Sequence, residues 1–355
     1  MKRILSSELS DPPWSLSASI LENFPFPVYF KCSETKRPEK IMQGITSEEA
    51  LALLKTTDLP KLLDYFRKAS ELREKKFGKK IKTCSIVNAK CGNCAQNCAF
   101  CAQSSRSKAK ITPYPLISAE EMFKAAEIAA EHGAHRFGIV TSGTKVVPGH
   151  DLDEICKAIR MIREKLPIVP CASLGIMTED ALLQLKQAGL DRFHHNLEAA
   201  PSYFGEICTT RPYSSQIETV KTAKRLGFTV CSGGIIGIGE SLEQRVELLE
   251  TIRSLNVDSV PLNFLSPIPG TPLEGGRGIT PMDCLRAIAA ARLMMPETSI
   301  RVCGGREQNL RDLQSWIFAA GADSFMTGGY LVTPGRGTDA DEQMIRDVGL
   351  ELLRN

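Results

Sequence analysis

The sequence of 355 residues lacks any uninterrupted apolar run of the roughly 18 residues that a membrane-spanning helix needs. It also lacks an excess of either charge, because 44 lysines and arginines stand against 41 aspartates and glutamates. This balance gives no reason to expect nucleic acid or an anionic membrane as the main partner. The first fifteen residues contain no long apolar core followed by a small-residue cleavage site, so no secretory signal is predicted and a cytoplasmic protein is expected.

Cysteine, in contrast, is abundant, with 12 residues. A secreted disulfide scaffold would be short and rich in loops. This chain is long and has strong helix and strand patterns, so its cysteines indicate metal binding or catalysis instead.

The pattern changes near residue 40. Residues 1–40 contain five prolines and no sustained period, and we interpret them as an N-terminal extension that is partly disordered. A transit peptide is a weaker alternative, because Glu8, Asp11 and Glu22 are acidic and such peptides contain few acids. Residues 41–355 are predicted to form one barrel domain.

Helix starts recur along this domain. Four capping boxes are predicted, at Thr46, Ser118, Ser241 and Thr280. Eight short segments rich in β-forming residues lie between the helical patterns: 83–88, 135–141, 168–174, 191–197, 228–236, 258–265, 299–303 and 323–326. Eight strands alternating with helices predict an α/β fold, a (β/α)8 TIM-type barrel with an N-terminal helical extension. An open, doubly wound sheet is the alternative.

The sharpest motif is the spacing CxxxCxxC formed by Cys94, Cys98 and Cys101, directly after the first predicted strand. Three thiolates can hold three irons of a [4Fe–4S] cluster and leave the fourth iron open. The loop is expected at the C-terminal mouth of a barrel strand, where barrel active sites form. The alternative is a zinc knuckle with Cys91 as the fourth ligand, since a structural zinc site needs four.

Strand alternation predicts a second group of chemically active residues. Side chains alternate between faces with a period of two, and on five strands polar or thiol residues share one face. The members of these five sets are Cys84, Ile86 and Asn88; Cys171 and Ser173; His194, Asn196 and Glu198; Cys231 and Gly233; and Arg301 and Cys303. Such groups inside a barrel are unfavourable unless they bind something. Together, Cys84, Cys171, Cys231 and Arg301 resemble the ligands of a second iron–sulfur cluster.

The CxxxCxxC loop in this position resembles that of the radical S-adenosylmethionine (SAM) enzymes. The resemblance implies that the open iron chelates SAM, that Phe100 lies near the adenine, and that reductive cleavage gives a radical that abstracts hydrogen from unactivated carbon. A buried barrel interior suits this chemistry, because it protects the radical.

Seven further motifs, from about residue 41 to the C-terminus, resemble the biotin synthase family. They are SIVNAK before the cysteine loop, HHNLE (194–198), TTRP (209–212), CSGGIIGIGE (231–240), PLNFL (261–265), GTPL (270–273) and IRVCGGRE (300–307). The resemblance implies a sulfurtransferase that inserts sulfur into dethiobiotin, the last step of biotin synthesis. It implies a [4Fe–4S] cluster, SAM and an auxiliary iron–sulfur cluster that donates sulfur. It also implies a flavodoxin or ferredoxin as electron donor, iron–sulfur assembly proteins as partners, and a homodimer.

In that family the auxiliary cluster is held by a cysteine on each of the second, third and fifth strands and an arginine on the seventh. Cys171, Cys231 and Arg301 match this pattern, but the second-strand position is Gly138, and Cys84, at the matching inward height of the first strand, is a possible replacement. The cluster is then a [2Fe–2S] type or a 4Fe type with an extra sulfide. Cys303 is a possible fourth thiolate. Cys32 and Cys208 have no assigned role, and Cys156 and Cys284 are predicted to serve helix packing.

The resemblance assigns further residues to SAM and substrate. Asn196 and Glu198 follow the family's Asn-x-Asp, which holds SAM ribose and substrate, and Asn263 matches the residue that hydrogen-bonds the ureido ring. Arg136 and Arg211 resemble cationic partners of the SAM carboxylate. Gly237 belongs to a segment whose backbone faces adenine.

Three alternatives remain at this point. One is another radical SAM barrel, of the hydrogenase-cofactor maturase or methylornithine synthase type, which Gly138 favours mildly. A second is an iron–sulfur electron carrier, against which the open three-cysteine motif argues. The third is a structural zinc protein.

Overall fold

The structure, a computed structural model, describes residues 43–276, 278–333 and 335–355. The predicted extension over residues 1–40 therefore lies outside the described residues. The helices are α1 (Ser47–Lys55), α2 (Leu59–Phe77), α3 (Ala119–Glu131), α4 (His150–Lys165), α5 (Glu179–Gln187), α6 (Phe204–Ile207), α7 (Tyr213–Arg225), α8 (Leu242–Ser254), α9 (Pro281–Met294), α10 (Arg306–Leu310), α11 (Trp316–Ala319) and α12 (Thr338–Asp347). The strands are β1 (Lys80–Lys90), β2 (Arg136–Thr141), β3 (Val169–Ser173), β4 (Arg192–His194), β5 (Thr229–Cys231), β6 (Gly234–Ile236), β7 (Ser259–Phe264), β8 (Ser299–Val302), β9 (Ser324–Met326) and β10 (Glu351–Leu352).

The strands close into a barrel. All pairings are parallel and follow the order β1-β2-β3-β4-β5-β7-β8-β9, with β6 beside β7 and β9 paired back to β1. The pairing of β9 with β1 excludes the open doubly wound sheet and confirms the predicted (β/α)8 barrel. Helices α1 and α2 precede the first strand, and β10 adds a short outer partner to β1 that the sequence patterns did not predict.

The fifth predicted strand, 228–236, is wrong as one element, because it is broken into β5 and β6 at Ser232 and Gly233. A Cβ atom on Gly233 would lie 1.9 Å from the carbonyl oxygen of Pro261 on β7. The chain therefore approaches β7 so closely at this point that only glycine fits.

The helix signals in the sequence are confirmed at all four predicted capping boxes. Thr46, Ser118, Ser241 and Thr280 each accept a hydrogen bond from the backbone three residues later, and the side chain at that position bonds back to the cap. Cys156 in α4 and Cys284 in α9 are buried within these helices, as the packing interpretation predicted. In the described part of the chain, no helix is both long and apolar enough to cross a bilayer.

The two faces of each strand have different environments. Outward side chains such as Phe137, Ile139 and Phe193 are buried in the apolar layer between barrel and helices. Their neighbours along the chain point into the barrel lumen, which places Gly138 and His194 there. The fold thus directs the polar and thiol residues of several strands toward one enclosed space.

A buried ion pair fastens the N-terminal ends of β8 and β9. Arg292 of α9 donates to Asp323 at 2.6 Å, and both side chains are at most 1% exposed. Asp323 also accepts hydrogen bonds from the Ser299 hydroxyl and the Ile300 N–H. Within the described residues, Arg292 is the cation that pairs directly with Asp323.

Candidate active site

The barrel lumen contains a cavity of about 310 Å³. Each of the eight barrel positions contributes to its wall. The contributing strand residues include Cys84, Gly138, Cys171, His194, Ile235, Asn263, Arg301 and Met326. The loop after β1 adds Cys94, Cys98, Phe100 and Cys101 to the same wall. We call the loop end of this cavity the mouth, and the part formed by Cys84, Cys171, Cys231, Cys303 and Arg301 the floor.

The cysteine loop at the mouth is held by its own backbone. The Cys94 N–H donates to the Gln103 carbonyl at 3.0 Å, the Ser105 N–H donates to the Cys94 carbonyl at 2.8 Å, and the Cys101 N–H donates to the Cys98 carbonyl at 3.0 Å. These bonds turn the loop so that all three cysteines of CxxxCxxC reach the cavity.

The zinc interpretation is not supported by this geometry. Cys91 does not line the cavity, and its backbone forms an antiparallel bridge with Tyr114. Within the described residues, no three histidine, cysteine or acidic side chains are close enough to share a single metal ion. A zinc ion at about 2.3 Å from each sulfur would require such closeness, whereas a cubane binds each thiolate to a separate iron.

Cys208, to which the sequence patterns assign no role, lies behind the mouth next to Cys98. It is buried beside Cys98, and the hydrogen bond between the two sulfurs lowers the pKa of Cys208 and, together with burial, raises that of Cys98. It lies immediately before the TTRP motif, but nothing in the sequence signals its contact with a loop more than 100 residues earlier.

The floor collects the thiols that strand alternation predicted. Cys84, Cys171, Cys303 and Arg301 line the cavity, and Cys231 lies just behind, with its sulfur 3.8 Å from Arg301 Nη1. Burial by itself would raise the pKa of Cys231, but Arg301 and His194 lower it to about 6. Burial and the nearby Cys84 and Cys231 raise the pKa of Cys171 to about 12.

Arg301 is a buried cation without a carboxylate partner. Its Nε donates weakly to the Ser324 hydroxyl at 3.4 Å, and it forms no ion pair in the described structure. Burial lowers the pKa of its guanidinium, but the neighbouring thiols Cys84, Cys231 and Cys303 raise it above its ordinary value. The floor is therefore built to hold negative charge on sulfur.

The position of Cys84 differs from the expected one. Its register partner on β2 is Arg136, whereas Gly138 pairs with Ile86 and Cys171. Cys84 thus lies one inward position below the level of Gly138. A Cβ atom on Gly138 would meet Ile86 Cγ2 at 3.0 Å, so Ile86 fills the space that a side chain at 138 would need.

Asn196 and Glu198 lie together on the cavity wall. Asn196 Nδ2 donates to Glu198 Oε2 at 3.3 Å, and its Oδ1 accepts from the Gly233 N–H at 3.1 Å. Glu198 has a left-handed backbone with φ of +69°, and burial raises the pKa of its carboxyl although Arg211 opposes the change. A backbone conformation of this kind in a non-glycine residue is often a functional constraint.

Three further predicted residues lie on the same wall: Phe100, Arg211 and Asn263. Arg211 stacks over the Phe204 ring, and its Nε is buried without a partner. The amide of Asn263 is held by the Gly234 carbonyl and the Gly304 N–H. Tyr330, which no sequence pattern predicts as a site residue, also lines the cavity and packs where a side chain on Gly304 would lie.

Two predicted residues are not brought to the cavity. Arg136 begins β2 and therefore lies at the end of the barrel opposite the mouth, where its Nη1 donates to Asp191 at 2.7 Å. The N–H of Gly237 is already bonded to Glu240 Oε1 at 2.9 Å. Within the CSGGIIGIGE segment, Ile235 contacts the cavity instead. Arg136 and Gly237 were assigned to SAM from the order of motifs along the chain. That order does not show at which end of a strand a side chain lies.

A parallel barrel with three loop cysteines facing an enclosed lumen defines a radical SAM enzyme. The family model for the radical SAM superfamily matches residues 90–252, and the model for the biotin and thiamin synthesis associated domain matches residues 261–351.

Two similar proteins of known family show the family to which this chain belongs. The chain is 50% identical to a biotin synthase of Geobacter sulfurreducens over 315 residues, which are 88% of this chain and 95% of the relative. It is also 50% identical to a biotin synthase of Citrifermentans bemidjiense over 310 residues, covering 87% and 94% of the two chains. The chain belongs to the biotin synthase family. It is accordingly a radical SAM sulfurtransferase that uses a [4Fe–4S] cluster, SAM and an auxiliary iron–sulfur cluster.

Solved structures show the fold. A methylornithine synthase has a TM-score of 0.77 at 20% identity, covering 88% of this chain and 95% of that one. A maturase of the [FeFe]-hydrogenase has a TM-score of 0.75 at 18% identity, covering 87% and 73%. These two types were the alternative functions left open by the sequence. They share the barrel, and the much higher identity to biotin synthases separates this chain from them.

Proposed function

We propose that this chain inserts sulfur into dethiobiotin from an auxiliary cluster at the floor, while a SAM-binding [4Fe–4S] cluster acts at the mouth. The observation that supports this proposal is that a single cavity is lined by both thiol groups, Cys94, Cys98 and Cys101 at one end and Cys84, Cys171 and Cys303 at the other. A substrate in this cavity would reach both centres without leaving the barrel.

The mouth residues fit a three-cysteine [4Fe–4S] cluster. All three sulfurs belong to one hydrogen-bonded loop, and no fourth cysteine of that loop faces the cavity. The unpartnered Nε of Arg211 and the buried carboxyl of Glu198 lie on the adjoining wall. They suit the charged carboxylate and ammonium groups of SAM, since buried charges require partners.

The floor residues fit an anionic iron–sulfur centre. Cys84, Cys171 and Cys231 provide three thiolates, and Arg301 provides a buried cation that forms no ion pair with any described carboxylate. Cys303 lies among the groups that influence Arg301 and is the alternative fourth ligand. These four cysteines come from four different strands or strand ends, so the barrel itself preorganises them.

When bound, the two clusters and SAM supply hydrogen-atom abstraction and sulfur, so that two C–H bonds of dethiobiotin are replaced by two C–S bonds. The protein's part is placement and protection. Asn196 and Glu198 form a linked pair that orients SAM and substrate, and the fixed amide of Asn263 gives the wall a rigid polar edge. Phe100 and Ile235 provide apolar contact and exclude water.

Further features of the proposal concern the surroundings of the enzyme. We propose a barrel domain spanning residues 41–355, a flavodoxin or ferredoxin as reductant, repair by iron–sulfur assembly proteins, a homodimer, and a cytoplasmic location. Their support is membership of the family, whose chemistry consumes electrons and sulfide.

The test compares Cys171→Ala with Cys156→Ala, which removes an equally buried thiol outside the cavity. In anaerobically reconstituted protein, Cys171→Ala should keep measurable SAM cleavage but form no biotin from dethiobiotin, because the sulfur-donating centre is lost. Cys156→Ala should retain both activities. Equal SAM cleavage and equal biotin yield in the Cys171 variant would refute the floor as sulfur donor.

A further inference from the structure

Next to the floor, the barrel interior contains a buried arginine that none of the preceding assignments uses. Arg192 begins β4 and is only 7% exposed. It lies two residues before His194, which lines the cavity, so both side chains point into the barrel. Its register partner on β3 is Cys171, which places it directly beside a floor thiol.

Arg192 forms no hydrogen bond and no ion pair within the part of the chain that the structure describes. Its Nε is buried and unbonded, and no carboxylate lies within ion-pair distance of its guanidinium. Asp191, its neighbour in sequence, pairs with Arg136 at 2.7 Å. Asp323, the other nearby carboxylate, is used by Arg292 and Ser299.

A second unsatisfied donor lies one inward position nearer the mouth. The hydroxyl of Ser259 is fully buried without a partner. Ser259 is the register partner of Cys231 on β7. Thus two floor thiols, Cys171 and Cys231, each have an unpaired buried donor directly beside them. Such groups are strongly unfavourable in a low-dielectric interior unless an acceptor is present.

The charge balance points the same way. Lys82, Arg136, Arg192 and Arg301 lie close enough to one another for their positive charges to interact unfavourably. The thiols Cys171 and Cys231 lie within the same range of Arg192 and favour its charge. Since Arg301 already supplies one uncompensated cation, two buried guanidinium groups, one in the floor and one next to it, require negative charge from sulfur.

We propose that Arg192 is a second cationic partner of the auxiliary iron–sulfur centre, a positioning residue that balances its negative charge opposite Arg301. This inference deepens the proposed function and rests on it. In the cluster-free protein Arg192 is an unpaired buried charge, and in the loaded protein it is neutralised. Arg192 therefore lowers the stability of the cluster-free chain and favours retention of the inner centre.

An arginine with a purely structural role would not both destabilise the cluster-free chain and help to retain the inner iron. Measuring the two properties together therefore tests the proposal. Arg192→Met removes the charge at similar length, Arg192→Lys keeps the charge, and Arg73→Met removes another buried arginine with an unbonded Nε, in α2 and outside the cavity. Each variant is reconstituted anaerobically, and iron and acid-labile sulfide per chain are measured. The thermal midpoint of each variant is then measured after chelation of all iron.

Arg192→Met should lose the inner iron while keeping about four irons at the mouth, and its cluster-free thermal midpoint should rise by about 2 °C or more, because an unpaired buried charge is gone. Arg192→Lys should retain most of the inner iron. Arg73→Met should keep all of its iron. In preparations of Arg192→Met with residual inner cluster, the reduction potential of that cluster should be more negative than in wild type, because a nearby positive charge is lost.

The proposal is overturned if Arg192→Met retains the inner iron with an unchanged reduction potential, or if its cluster-free midpoint falls, which would show an ordinary structural role. Failure of the underlying function is recognised separately, since in that case Cys171→Ala would also retain its full iron and sulfide.

Discussion

The mouth and the floor of the cavity hold thiols in two different ways. At the mouth, Cys94, Cys98 and Cys101 come from eight consecutive residues, and their loop is shaped by three short backbone hydrogen bonds. At the floor, Cys84, Cys171, Cys231 and Cys303 lie on strands or strand ends separated by as much as 219 residues of sequence (84 to 303). A local loop specifies the first site, whereas only closure of the barrel creates the second.

The electrostatics of the two ends also differ. At the mouth, Arg211 has a buried Nε without a hydrogen-bond partner among the described residues, and the carboxyl of Glu198 lies on the same wall. Arg301 in the floor and Arg192 next to it are buried, and neither forms an ion pair with a carboxylate of the described residues. The mouth thus suits a zwitterionic amino acid group, and the floor suits a net anionic centre.

The largest effect that would test this division is expected for Cys94→Ala. Removal of one of only three iron ligands should abolish SAM cleavage, a loss of at least about 10³-fold, because no other described cysteine of the loop faces the cavity to replace it. The inner iron and sulfide should remain, since the floor uses none of the loop residues. Cleavage of SAM and iron content are measured on the same anaerobic preparation.

Cys284→Ala is the matched control for this prediction, because Cys284 is a fully buried thiol in α9. It should leave both cleavage and iron content intact. If Cys94→Ala instead strips the floor of its iron as well, the two ends do not act as separate sites.

A smaller effect is expected in the pH dependence of stability, which reflects the protonation of two histidines. Burial lowers the pKa of His195, near the mouth, to about 4, and burial with Arg136 and Lys82 lowers the pKa of His135, below the floor, to about 4. Both values lie below the ordinary 6.5, so the unfolded chain binds more protons between these limits. The stability due to each neutral histidine is therefore fully present above about pH 6.5 and is lost as the pH falls toward 4.

His195→Gln should remove much of this dependence in the cluster-free protein. The side chain is only 6% exposed, so the contribution is on the order of 2–3 kcal/mol between pH 7 and 4.5. His135→Gln should have a smaller effect, because that side chain is more exposed to solvent. Urea titrations at the two pH values measure the free energy of unfolding, and an unchanged difference in the His195 variant would contradict the assigned burial effect.

The sequence predicted the barrel because its signals are local. Capping residues such as Ser118 and Ser241, and strand segments of alternating character, act within a few residues and appear in the structure where expected. The break between β5 and β6 was not predictable, because it depends on the approach of Gly233 to Pro261 on another strand.

In the candidate site, too, the sequence predicted the features that depend on a single strand and not those that depend on contacts between strands. Strand alternation predicted that Cys171 and Arg301 face inward, since period two is a property of a single strand. It did not give their depth, so Cys84 lies one position lower than expected and Arg136 lies at the wrong end of the barrel for SAM. The role inferred for Arg192 required knowledge of every neighbouring carboxylate, which only the folded chain provides.

The central claim is that two separate iron–sulfur centres share this lumen. Its most direct test is the iron and acid-labile sulfide content of anaerobically reconstituted wild-type protein beside Cys171→Ala, with Mössbauer spectra of both. The account predicts about six irons per wild-type chain if the inner centre has two irons, or about eight if it has four, and about four irons in the variant. Only about four irons in wild type, all lost with Cys94→Ala and unaffected by Cys171→Ala, would contradict it.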